Sequence, residues 1–201
     1  MKNLYIIVVL ILIASTSCKA QTPIIDIENR PSFREIQLKN AYYKDIHNFF
    51  DDFEGTWVAT KGNNTLKIVL KKLKMVPNDI PYFIDYVVGG YQYIEHGVEK
   101  INNLDEIDTQ YIRSIYGSRL LKSHYKPTCN DCDPDKRRLD LGFFDRNRNV
   151  SGSLYLQHTI VNGKPALKAL LWGTGKAYDM DNPPAHLYLT VPTGEYTFIK
   201  Q

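Results

Sequence analysis

From residue 55 onward the chain alternates. Leu66, Ile68 and Leu70 are interleaved with Lys67, Val69 and Lys71, and Leu139, Leu141 and Phe143 with Asp140 and Gly142. The same holds for Leu154, Leu156, His158 and Ile160 against Tyr155, Gln157 and Thr159, and for Leu187, Leu189 and Val191 against Tyr188 and Thr190. Successive side chains of a strand point to opposite faces, so a period of two marks a strand with one buried face. Turn chemistry separates the runs: Lys61-Gly62-Asn63-Asn64, His96-Gly97, Asp145 to Gly152, Asn162-Gly163 and Pro192-Thr193-Gly194. Asn-Gly is the strongest of these signals, because a type I′ turn needs positive φ at both central residues. The candidate strands are 55–61, 65–74, 81–88, 90–96, 98–104, 110–116, 137–145, 152–161, 165–172, 186–191 and 195–200.

A meander this large must close or fold over, since open edges invite pairing with other chains. The expected fold is all-β, an antiparallel up-and-down barrel of about 8–10 strands, with a two-sheet sandwich as the alternative. One short helix is expected between residues 32 and 53, ending at Glu54-Gly55. Its apolar stripe is Tyr42, Ile46, Phe49, Phe50 and Phe53, at spacings of three and four. Segment 173–185 reads as a long loop.

Composition narrows the function classes. The 14 Tyr among 201 residues suit strands and barrel walls, where the ring is buried and the hydroxyl finds a partner. A net charge of +3, with only the short basic runs LKKLK and DKRR, argues against nucleic acid.

The N-terminus reads as an export signal. One Lys precedes an apolar run from Leu4 to Ala14, too short to cross a bilayer and of signal-peptide length. Ser15, Thr16 and Ser17 directly precede Cys18, and this resembles the site at which lipoprotein signal peptidase cuts before a lipidated Cys. Secretion with cleavage after Ala20 is the rival. The expected organisation is a signal peptide at 1–17, a lipidated Cys18 with its tether at 18–31, and a helix-plus-barrel domain at 32–201. The expected location is the cell envelope, membrane-anchored. No acidic run follows Cys18, which favours the periplasmic face over the cell surface.

Gly55-Thr56-Trp57 at the start of the first barrel strand resembles the opening motif of lipocalins and the wider calycins. In those folds the Gly bends the strand and the Trp plugs the closed end of the barrel. An Arg on the last strand then covers the Trp, but no Arg follows Arg148 here, so Lys200, Lys168 or an aromatic is expected in its place. YYKDIHNFFDDFEGTW, NNTLKIVLKK, IDYVVGGYQYIEHGVEK and the closing PTGEYTFIKQ resemble a family of small Bacteroidetes-type lipoproteins, known as a domain of unknown function. That resemblance implies a lipoprotein with a lipocalin-like barrel and no assigned activity.

Few residues suggest chemistry. Cys129 and Cys132 remain as a pair once Cys18 is lipidated, and a local disulfide is the favoured reading in an oxidising compartment. The alternatives are a metal site with His124, which lacks a fourth ligand, and a redox motif, which lacks a βαβ context. Asp145 to Asn149 places oxygen ligands as calcium loops do, but the EF-hand Gly and Glu are replaced by Val150 and Gln157, so a turn is favoured. His158 shares the inward phase of Leu154 and Leu156. Tyr91 and Tyr93 share one face, and Trp172 closes an apolar strand. With Trp57 these are the candidate ligand-binding residues.

No nucleophile–base pattern, metalloprotease motif or phosphate-cradling loop appears, so no catalytic residue, cofactor or metal is expected. The expectation is a non-catalytic structural or protein-interaction barrel, with a lipocalin-like carrier of a small apolar ligand as the alternative. Its partners are then the membrane, through the lipid anchor, and an envelope protein or a small apolar ligand.

Overall fold

The computed structural model describes residues 22–31, 36–78, 81–107, 114–122, 127, 129–130, 132–173 and 185–201. The expected signal peptide at 1–17, Cys18, His124 and most of the expected loop 173–185 lie outside the described residues.

Among the described residues eleven strands follow one another: β1 (Ile24–Asp26), β2 (Tyr42–Lys44), β3 (Gly55–Lys61), β4 (Asn64–Pro77), β5 (Phe83–Glu95), β6 (Val98–Asn102), β7 (Ile115–Leu121), β8 (Arg138–Asp145), β9 (Val150–Val161), β10 (Lys164–Gly173) and β11 (Gly194–Lys200). Eight of them close an antiparallel barrel in the order β3-β4-β5-β7-β8-β9-β10-β11, and β11 returns to β3 through Ile199–Val58 and Lys200–Trp57. Each strand neighbours its sequence successor except where β6 steps aside. This is the up-and-down arrangement that removes both sheet edges.

The free edge of β5 is divided among three partners. β2 runs parallel to Phe83–Ile84, β7 pairs with Val87–Gly89, and β6 with Gln92–Glu95. β1 pairs parallel with β2, so Ile24–Asp26, expected within a tether, extend the sheet as the outer part of an N-terminal strap. The His96-Gly97 and Asn162-Gly163 connectors are two-residue hairpins with positive φ at both positions, as a type I′ turn requires.

Three local expectations are corrected. The expected helix before residue 54 is a five-residue 3-10 turn, Phe49–Phe53, preceded by a strand at Tyr42–Lys44. Asp45 accepts the N–H groups of Phe49 and Phe50, and Asn48 is left-handed, so the apolar stripe is split between two short elements. The expected strands 81–88 and 90–96 are one strand, β5. A Cβ on Gly89 would lie 2.3 Å from the Val69 carbonyl oxygen, and one on Gly90 2.6 Å from that of Asn103. These glycines permit close approach of the backbone, not a turn. Segment 186–191 is not a strand. Leu189 and Val191 instead join the core at the end of the barrel where β10 finishes, while side chains hold their backbone: Asp145 accepts the Thr190 N–H, and Arg148 donates to the Tyr188 and Leu189 carbonyls.

Candidate functional site

The interior is where a barrel would hold a ligand. The inward faces are set by alternation: Leu66, Ile68 and Leu70 on β4, Tyr91 and Tyr93 on β5, Leu139, Leu141 and Phe143 on β8, Leu154 and Leu156 on β9, and Leu167, Ala169 and Leu171 on β10. Trp57, Ile68, Tyr91, Leu139, Leu141, Leu154, Leu156 and Phe198 are within 0% of exposure. A side chain bordering a void that admits water keeps accessible area, so no such void touches these residues. Tyr91 stacks on Phe143 with ring centroids 4.3 Å apart, and Tyr93 is buried with its hydroxyl 3.5 Å from Glu95.

Trp57 lies at the closed end. Its Nε1–H donates to the Phe53 carbonyl at 2.8 Å, tying the ring to the 3-10 turn that plugs the barrel. Lys200 Nζ lies over the Trp57 ring, 5.1 Å from its centroid. Gly55, at φ +118°, makes room for it, since a Cβ there would lie 3.1 Å from Lys200 Cε. His158 is half-buried and meets Trp57 edge-on, with centroids 6.4 Å apart. Trp172 does not join this group. It follows the outward phase of Lys168 and Leu170, opposite the inward Leu167, Ala169 and Leu171, and is 52% exposed. Grouping Trp172 with the inward candidate ligand-binding residues is therefore corrected.

The closed end also holds a charged network that the sequence reading missed. Lys72 continues the inward phase of Leu66, Ile68 and Leu70, and its side chain is 3% exposed. Its ammonium lies 2.9 Å from Asp45, itself 2% exposed, and 2.6 Å from Asp51. Burial works against the charge on Lys72, but the hydrogen bonds it donates to Asp51 and Asp45 outweigh it and raise its pKa from 10.5. Asp85, on the same inward phase as Val87, accepts from the Tyr42 hydroxyl at 2.6 Å and from the N–H groups of Asp45 and Met75 at 3.0 Å. Burial, then the Asp85 bond, raises the Tyr42 pKa. The network fastens the strap and plug to β4 and β5. Its legible signal was a lysine on the buried phase of an alternating run.

The Cys129–Cys132 segment lies on the outer wall. The two cysteines meet as a disulfide, with Cα atoms 5.3 Å apart. Gln157, outward on β9, clasps the following turn: its Oε1 accepts from Asp133 N–H and its Nε2 donates to the Asp133 and Lys136 carbonyls. Asn130 N–H donates to Glu195. Asp145, expected in a turn or a calcium loop, accepts the N–H of Arg148 and of Thr190, so its oxygens hold two segments of backbone together.

Among the described residues one group has metal-ligand chemistry, Asp26, Glu28 and His47, with one ligand atom from each within 4.8 Å of the others. It borders a cleft of about 450 Å³ lined also by Asn48, Phe49, Asp52 and Arg137. His47 Nε2 lies 3.0 Å from Asp26, and Glu28 is ion-paired with Arg137. The Glu28–Arg137 ion pair and the Asp26–His47 contact account for the grouping.

A family model matches residues 1–201. The chain belongs to DUF6705, a family of unknown function. No curated protein and no solved structure matches it. Membership of DUF6705 agrees with the expected domain of unknown function and assigns no activity.

Proposed function

We propose that this DUF6705 protein is an exported, lipid-anchored barrel that works through its outer surface, as a structural or protein-interaction module of the cell envelope, and not through its interior. The observation that carries the reading is the fully buried inner face of Trp57, Ile68, Tyr91, Leu139, Leu154 and Phe198. A carrier of a drug-sized ligand needs several hundred Å³ of enclosed space, whereas an eight-stranded barrel is narrow enough for its own side chains to fill. The buried charges at the closed end favour a structural role, because Lys72, Asp45 and Asp85 are engaged with one another and with the backbone of the plug.

Export and anchoring rest on the apolar run Leu4 to Ala14 and on Ser15-Thr16-Ser17-Cys18. The disulfide belongs to the same reading, since an oxidising compartment is where one persists. Native mass spectrometry of the exported protein tests the closed interior. The expected result is the mass of the polypeptide with its acyl groups and no further adduct. A stoichiometric small apolar molecule that survives purification would establish the carrier instead.

A further inference from the structure

We infer that the strap end of the barrel is a membrane-facing surface that rests on an anionic lipid bilayer. This rests on the lipid-anchor reading of Cys18. Pro23 is five residues beyond Cys18 in the sequence, a reach of about 18 Å when fully extended. The Pro23 carbonyl already accepts the Tyr42 N–H, and Ile24 begins β1. An acylated Cys18 therefore holds the strap within a short distance of the lipid headgroups.

The strap end is built for that position. Ile24, Ile36, Leu38, Ile46 and Met75 are exposed, although large apolar side chains are individually favoured inside. Four belong to the strap. Met75 belongs to the β4 bulge beneath it, where its N–H and that of Asp45, the neighbour of Ile46, are held by the same Asp85 carboxylate. Lys39, Lys44 and Lys74 are exposed among them. Of the acids at the same end, Glu28 is paired with Arg137 and Asp51 with Lys72, while Asp52 is exposed. Exposed apolar side chains interleaved with lysines are the composition of an interfacial surface, where the apolar groups enter the headgroup boundary and each lysine gains from anionic lipid. The opposite end of the barrel, with Trp172 and Tyr188, then points away from the membrane.

The test uses the full exported protein, purified from membranes, checked by intact mass, and reconstituted in phosphatidylcholine–phosphatidylglycerol vesicles carrying brominated acyl chains. Native Trp172 reports on the far end, and Leu38→Trp in a Trp172→Phe background reports on the strap, with buried Trp57 as a constant background. Ile46→Trp serves as a second reporter should Leu38→Trp disturb folding. The expected result is loss of strap-tryptophan emission in brominated vesicles and none at Trp172, with the loss reduced when phosphatidylglycerol is omitted. An acylated protein whose strap reporters are unquenched, or whose Trp172 is quenched equally, overturns the membrane-facing surface and leaves the anchor standing. A chain without acyl mass overturns the anchor and, with it, this inference.

Discussion

Lys72→Met isolates the energetic role of the charged network. Methionine keeps most of the unbranched apolar length and removes the charge, leaving Asp45 buried without its cation. Breaking a buried ion pair by removing one partner costs about 3–5 kcal/mol. Asp45 keeps the N–H donors of Phe49 and Phe50, and Asp51 is 54% exposed, so water covers much of its loss. The lower end, about 3 kcal/mol, is therefore expected, which for a chain of this size lowers Tm by about 6–12 °C. Asp45→Asn added to Lys72→Met removes the stranded charge, so the double variant should be less destabilised than the sum of the two single ones by about 1.5 kcal/mol or more. The pH dependence carries a sign. Lys72 has its pKa raised on folding, so its stabilisation is complete below 10.5 and is lost as pH rises from there through the raised folded value. The wild type should lose this increment in alkali and Lys72→Met should not. Tyr42, whose pKa is also raised from 10.0, contributes a loss of the same sign, and Tyr42→Phe separates the two. Urea unfolding followed by far-ultraviolet circular dichroism at pH 7 and across pH 9–11 measures all of this. Additive single and double variants, or a Lys72→Met cost under about 1 kcal/mol, would refute the network as a fastening.

Three further outcomes follow from named contacts. Lys200→Ala removes the cation over Trp57 and should cost about 0.5–2 kcal/mol by the same assay, while Trp57→Ala, which empties the plugged end, should cost about 3–5 kcal/mol. Gly89→Ala should be worse than Gly163→Ala. The first drives a Cβ against the Val69 backbone, whereas Gly163 has open space and only a positive φ to lose, a cost of about 1–2 kcal/mol. Thiol counting by mass spectrometry should find Cys129 and Cys132 unreactive in the exported protein and Cys132 reactive in Cys129→Ser. Two reactive thiols in the wild type would exclude the disulfide.

The barrel was readable because alternation survives wherever one face is buried and the other wet. The inward phases of β4, β8 and β9 were assigned from Leu66, Leu139 and Leu154 onward, and the Asn162-Gly163 turn from its need for positive φ. Trp57 was legible as a plug, and Lys200 was among the residues expected to cover it. The same period misled at 186–191, where Leu187, Leu189 and Val191 alternate without a ladder. Side chains of Asp145 and Arg148, about 40 positions earlier in the chain, satisfy that backbone, and no local pattern encodes so distant a partner. Gly89-Gly90 misled in the opposite sense, because a glycine needed for close packing looks the same in sequence as one needed for a turn.

Local sequence determined the periodicity and the hairpins, because each depends on residues within a few positions of one another. Tertiary structure decided that the inner face from Trp57 to Phe198 is buried, which way Trp172 faces, that Lys72 meets Asp45, and that Asp85 holds the Asp45 backbone. Those outcomes depend on strand register and barrel closure, which bring together side chains tens of positions apart in the chain. A one-residue slip of β10 would send Trp172 to the other face, and one of β4 would do the same to Lys72.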